Sequence, residues 1–152
     1  MRIPTRAISF TIAGVFLMVI FWPVLHPPNT TLHHAVLQRQ FKSLKAPSDA
    51  KLLYVDEKPK LGRVFLGAYY LSDISFEQLQ HFYVPLFQHN GWHLLQETPL
   101  AVSGRDTGGR QITLCKGDYE ANIEYAGERQ NAGWSYSVSM SWSPENKCRS
   151  AQ

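Results

Sequence analysis

The sequence predicts an α+β fold: an N-terminal transmembrane helix, then an antiparallel sheet with one main helix packed on one face, a two-layer sandwich. Three observations predict it. Residues 7–25 carry no charge, and about 20 apolar residues span the hydrocarbon core of a bilayer. Residues 74–92, ISFEQLQHFYVPLFQHNGW, repeat their apolar side chains at helical spacing. The segments around them switch to the period of two that marks half-buried strands.

The chain opens with MRIPTR, which is basic and has no acid. Arg2 and Arg6 orient this end to the cytoplasm and the remainder outside, by the positive-inside rule, and Trp22 falls at the outer interface. Ser9, Thr11, Gly14 and Pro23 weaken the span, but transmembrane helices tolerate such residues. A cleaved signal peptide is the competing reading. It needs a shorter apolar core and a small-x-small site, and WPVLHPPNTTLHHA offers no convincing one.

His26-Pro-Pro-Asn-Thr-Thr cannot continue a helix, because consecutive prolines remove donors and bias the preceding residue to an extended form. Asn29-Thr30-Thr31 matches a glycosylation acceptor, a weak three-residue pattern. Thr31 caps a second helix over 32–44, whose Val36, Leu37, Phe41 and Leu44 share a face that excludes Arg39, Lys42 and Lys45. That face either docks on the domain or rests on lipid, and docking is the simpler choice. The expected organisation is a cytoplasmic tip and anchor over 1–25, a spacer with a short amphipathic helix over 26–50, a periplasmic α+β domain over 51–148 and a tail over 149–152.

LLYVD reads as a short strand, EKPKLG as a turn, and residues 63–71 as a longer strand with apolar residues on both faces, as in a central strand. The main helix follows. Ser75 with Gln78 fits a capping box, and Ile74 with Leu79 fits a hydrophobic staple. Phe76, Leu79, Phe82, Tyr83, Leu86 and Phe87 project within about 140° of arc, wide enough to cover a sheet face. Glu77, His81 and Gln88 point away, and Pro85, opposite the stripe, is expected to kink the helix outward. Asn90-Gly91 supplies a left-handed stop, after which Trp92 can fold back on Phe87 as in a Schellman ending.

Residues 92–98 read as a strand ended by Pro99, and 103–109 as a flexible Gly-rich loop. Residues 110–116 and 119–125 flank Gly117-Asp118, a two-residue hairpin turn. In the last strand Trp134, Tyr136, Val138, Met140 and Trp142 alternate with five serines, an aromatic face backed by a serine ladder. The resulting order is written β-β-α-β-β-β.

Composition bounds the function. A chain of 152 residues with 44% hydrophobic content allows one domain of ordinary size. Beyond Arg2 and Arg6, 13 basic residues stand against 12 acidic ones. A nucleic-acid binder shows a basic stripe, so no nucleic acid is expected as a partner. Cys115 and Cys148 would close a loop of about 34 residues, which a disulfide stabilises by roughly 3 to 4 kcal/mol in the chain-entropy model. Two unrelated thiols are the alternative; an oxidising compartment favours the bridge. Neither a CxxC pair nor zinc-ligand spacing is present.

Catalytic signals are thin. Glu77 and His81 lie i, i+4 on the exposed helix face and read as a solvated pair. His89 and His93 have a metal-like spacing, but Gly91 ends the helix between them. The glycines of GRDTGGR with Arg105 and Arg110 suit an anion, yet the Gly-Lys-Ser/Thr of a phosphate loop is missing and a hairpin loop is the default reading. Trp134, Tyr136 and Trp142 form either a stacking platform for a ligand or, more commonly, core. No catalytic residue, cofactor or metal is expected.

SFEQLQHFYVPLFQHNGW, with the strand before it and LCKGDYEANIEY after it, resembles a loose group of uncharacterised bacterial membrane-anchored or lipoprotein-like envelope domains. These tend to show an S-x-x-x-L-x-x-F-Y-x-x-x-L-x-x-x-G-W helix and a K-G-x-Y strand pair. The resemblance covers residues 50–142 and implies a cell-envelope location and an α+β fold, with no catalytic residues. Together these readings lead to a single-pass protein of the bacterial inner membrane, non-enzymatic, held in the bilayer by residues 7–25. Its periplasmic domain is expected to bind or scaffold an envelope protein. A small-ligand sensor or carrier using the aromatic strand or the helix-sheet seam is the alternative.

Overall fold

The computed structural model describes residues 30–58, 62–102, 105–128 and 133–150. The anchor expected over 7–25, with Arg2, Arg6 and Trp22, the start of the spacer and the last two residues lie outside the described residues. No helix among the described residues is long and apolar enough to cross a membrane.

Helix α1 (Thr30–Ser43) leads into strands β1 (Lys51–Glu57) and β2 (Val64–Leu71), then helix α2 (Phe76–His89). Strands β3 (His93–Val102), β4 (Arg105–Lys116), β5 (Tyr119–Tyr125) and β6 (Tyr136–Trp142) follow, with a short α3 (Lys147–Ser150) behind them. The strands form one antiparallel sheet in the order β1-β2-β6-β5-β4-β3. The last strand of the chain therefore fills the centre of the sheet. There are six strands, matching the six segments read as strands one by one, where the written order counts five.

Both long helices lie on one face, α1 over β2 and β6 and α2 over β3 and β4. Leu37 of α1 and Leu79, Tyr83 and Phe87 of α2 share one buried cluster with Val64, Leu66, Ile112, Leu114, Ile123, Val138 and Met140. Successive side chains of a strand point to opposite faces, so these strand residues define an inner face. The layer holds α1 beside the main helix, the docked arrangement preferred for the 32–44 face, with Leu37 fully buried and Phe41 and Leu44 packed against the core.

Local signals set the ends of α2. Ser75 Oγ accepts from Gln78 N–H while Gln78 Oε1 accepts from Ser75 N–H at 3.0 Å. At the other end Gly91 takes φ +80°. Trp92 N–H donates to Phe87 O at 3.1 Å and Gly91 N–H to Gln88 O at 2.9 Å, the bond pair of a Schellman motif. The Trp92 ring stands edge-on to Phe87 at 5.5 Å. Pro85 lies on the exposed side and the helix runs on through it to His89.

Two expectations in the second half are corrected. β3 does not stop at Thr98 but continues through Pro99 to Val102, because β3 is the sheet's edge and a missing N–H on the open side costs no ladder bond. The stretch 103–109 is not a loop throughout: β4 begins at Arg105 and carries a register shift opposite Leu100/Ala101. Within it Gly108 takes φ +71°, and a Cβ on Gly109 would stand 3.1 Å from Leu100 Cβ. The turn at Gly127 (φ +61°) presses on this strand, and a Cβ there would sit 2.4 Å from Thr107 O and 2.5 Å from Gly109 N. Glu128 N–H donates to Thr107 O at 2.7 Å across the same approach.

Candidate binding face

The alternation that buries one face of the sheet fixes the composition of the other. Opposite β6, register places Ser137 between Tyr69 and Glu124, Ser139 between Gly67 and Asn122, and Ser141 between Phe65 and Glu120. Among the described residues neither long helix covers this outer face. It divides into two halves. On the β4–β5 side, Asn122 Oδ1 accepts from Gln111 Nε2 at 2.7 Å and Thr113 Oγ1 at 2.9 Å, while Asn122 Nδ2 donates to Glu120 Oε1 at 2.8 Å. On the β1–β2 side the surface is aromatic. Tyr54 stacks on Tyr69 with centroids 4.4 Å apart, and Tyr69 meets Trp134 edge-on at 5.6 Å. Phe65 folds its ring over Gly67, where an added Cβ would lie 2.9 Å from that ring.

One end of this face is closed by α3. Cys148 bonds to Cys115 with Cα atoms 5.5 Å apart, Lys147 N–H donates to Glu120 Oε2 at 3.3 Å and Arg149 Nη2 reaches Asp118 Oδ2 at 3.0 Å. The Arg149 guanidinium holds the Asp118 carboxyl below its ordinary value of 3.8. The other end opens into a groove of about 400 Å³ lined by Leu71, Asp73, Tyr125, Trp134 and Ser135. Trp134 belongs to both features, so the rings of Tyr54, Tyr69 and Trp134 form a path from the sheet edge to the groove.

No protein-family model, curated protein or solved structure matches the chain.

The three aromatic residues singled out on the last strand therefore separate by geometry. Tyr136 is fully buried, stacks on Tyr70 at 4.9 Å and lies with its hydroxyl 3.5 Å from that of Tyr83. Burial pushes the Tyr136 hydroxyl up to about 12. Trp142 is 5% exposed and stacks on His33 of α1 at 3.8 Å. Both belong to the core because β6 is central and both helices cover its inward face. Only Trp134, before the strand begins, reaches the outer surface. Arg110 is committed to Asp106 (3.3 Å) and to the Gly109 carbonyl (2.9 Å), while Arg105 opens β4 opposite Val102. The two arginines do not form a phosphate-type loop, since their segment is a bulged strand. Among the described residues no three His, Cys, Asp or Glu side chains group to hold a metal. Glu77 accepts from Ser75 Oγ at 2.9 Å, and bonds from its own backbone N–H and from Ser75 lower its pKa; it serves the start of the helix.

Tyr54 and Tyr69 went unnoticed in the sequence. The signal is the pairing of Tyr54 with Tyr69 across β1 and β2, which follows only once a register shift between Leu52 and Tyr54 is known.

His33 carries a testable consequence. Burial lowers its pKa from 6.5, against the raising effect of Asp118 and with that of Arg149, while Nδ1 bonds to the Tyr119 hydroxyl at 3.0 Å. A depressed histidine pKa means that the unfolded chain binds more protons, so stability is full above 6.5 and falls as pH drops through the folded value. Thermal melts of the full chain from pH 7 to pH 5 should show a smaller loss for His33→Phe, which keeps a ring on Trp142, than for the native protein. Parallel curves would show that His33 takes up its proton as readily in the folded chain as in the unfolded one.

Proposed function

We propose that the chain is a non-enzymatic, membrane-anchored binding or scaffold protein of the bacterial envelope, whose periplasmic domain engages an envelope protein through its outer sheet face. The observation that carries this reading is the two-layer arrangement itself. Both long helices pack on one side, and the opposite side presents the exposed ring of Tyr54 and the half-buried rings of Tyr69 and Trp134 next to a hydrogen-bonding surface of Ser139, Ser141, Asn122 and Glu120. Interface centres are enriched in aromatic residues and their rims are polar. The uncharged run over 7–25 behind Arg2 and Arg6 supports the anchor, and the Cys115–Cys148 bond supports an oxidising compartment.

The test is a pull-down of the full-length chain from mild detergent with co-purifying molecules identified by mass spectrometry, run beside a Tyr54→Ser, Tyr69→Ser, Trp134→Ser triple variant whose melt confirms folding. The expected result is an envelope protein recovered with the native chain and at least tenfold less of it with the variant. Undiminished recovery would move the interface elsewhere. Recovery of a small molecule with no protein would favour the second reading, a ligand carrier or sensor. That reading rests on the groove beside Trp134, whose volume of about 400 Å³ lies within the range of small-molecule sites.

A further inference from the structure

The two edges of the sheet are built differently. β3 is guarded by Pro99 and by two register shifts, devices that keep an edge from pairing with another chain. β1 has one shift and no proline, and its centre is a run of four uncharged residues, Leu52, Leu53, Tyr54 and Val55, all exposed. Val55 is 51% exposed and Tyr54 49%. Edge strands of this kind are templates for further strand pairing.

We infer that β1 pairs antiparallel with β1 of a second copy of this chain, joining two sheets into one across a two-fold axis at Tyr54. The backbone sets the register. Lys58 N–H donates to Phe65 O, and hydrogen-bonded and non-hydrogen-bonded positions alternate along an antiparallel ladder. Asp56 and Tyr54 therefore direct their backbone groups to β2, and Val55 and Glu57 direct theirs outward. Counting through the shift that β1 already keeps against β2 between Leu52 and Tyr54, a two-fold axis at Tyr54 places Leu52 opposite Val55 and Lys51 opposite Asp56. Each contact occurs twice. An apolar pair and an opposite-charge pair thus face each other on both sides of the axis, and cross-strand pairs are the unit of sheet stabilisation. Asp56 already lies 2.6 Å from Lys58 Nζ, so one carboxylate would stand between two ammonium groups.

The symmetry is compatible with a shared membrane. An axis perpendicular to the sheet keeps the helix layers of both copies, and hence both α1 helices, on the same side. It also sets Tyr54 against its own counterpart, so the two Tyr54–Tyr69 stacks become one continuous aromatic strip. This inference goes beyond the proposed function: a monomer could still bind through its outer face.

The test uses the full chain in mild detergent, with mass measured by light scattering and sedimentation over a concentration series. The native chain should be a dimer, and Val55→Lys should raise the dimer dissociation constant at least tenfold without moving the melt, because Val55 contributes an exposed side chain only. Tyr54→Cys should cross-link to itself under mild oxidation, since opposed non-hydrogen-bonded residues bring Cα atoms to about 4.5 Å, within disulfide reach. Thr98→Cys on the β3 edge should not. A native chain that stays monomeric, or a dimer that survives Val55→Lys and leaves Tyr54→Cys uncross-linked, would overturn the pairing. The second outcome would assign dimerisation to another surface, and either would leave the outer-face pull-down unaffected.

Discussion

Replacing Phe87 by alanine should lower the stability of the full chain by about 3 to 5 kcal/mol, the range for emptying a buried aromatic site. Phe87 is fully buried in the last turn of α2. Its ring touches three structural features at once: it lies 6.4 Å from Tyr83 within the helix, stands edge-on to Trp92 at 5.5 Å across the Schellman turn, and belongs to the cluster that includes Leu37 of α1. The backbone role of the residue survives the change, because Phe87 O accepts from Trp92 N–H and Asn90 N–H through the main chain. The loss therefore measures side-chain packing and not the cap. For a domain of roughly 120 residues, about 1 kcal/mol corresponds to about 4 °C, so the midpoint should fall by about 12 to 20 °C. Thermal and urea melts in the same mild detergent decide it. A fall of only a few degrees would mean that the end of α2 does not seat on α1 and the sheet.

α2 was legible because everything that bounds it is local. Ser75 sees Gln78 three residues on, Phe87 sees Trp92 five residues on, and the stripe between them needs only its own spacing. The aromatic–serine alternation of β6 was legible for the same reason. What alternation cannot say is which face the helices will take, so Tyr136 and Trp142 could be read as platform or core until the sheet order put β6 between β2 and β5. The β3–β4 hairpin was misread at the points where local signals depend on position in the sheet. Pro99 stops a central strand but is harmless on an edge, and edge status is a property of the whole sheet. Gly108 and Gly109 look like loop residues, yet Gly108 supplies a positive φ within the bulged strand and Gly109 lies against Leu100 of β3, while the turn at Gly127, nearly twenty residues later, closes onto the same strand. The same distance in sequence hid the outer face: Tyr54, Tyr69 and Trp134 lie in three separate segments, and only the register joins them.

Removing the Cys115–Cys148 bond, by Cys115→Ser with Cys148→Ser or by reductant, should cost about 3 to 4 kcal/mol for a loop of this size. The cross-link, not the charges beside it, sets that figure. Arg149 and Asp118 form an ion pair at the surface, with side chains 48% and 38% exposed, and such pairs contribute about 0 to 1 kcal/mol. The two contributions separate by pH. Arg149 holds the Asp118 carboxyl below 3.8, so its stabilisation is present above that value and fades as pH falls through the lower folded one; the covalent constraint does not titrate. The native chain should therefore show a large difference between oxidised and reduced urea midpoints at pH 7 that persists at pH 4. In the double serine variant, Asp118 should titrate nearer its ordinary value, because α3 is no longer tied to β4 and Arg149 is free to leave. Equal midpoints with and without reductant would mean that α3 keeps its place unaided. The stability of this end would then lie in the contacts of Asn146, Lys147 and Arg149 with the β4–β5 hairpin.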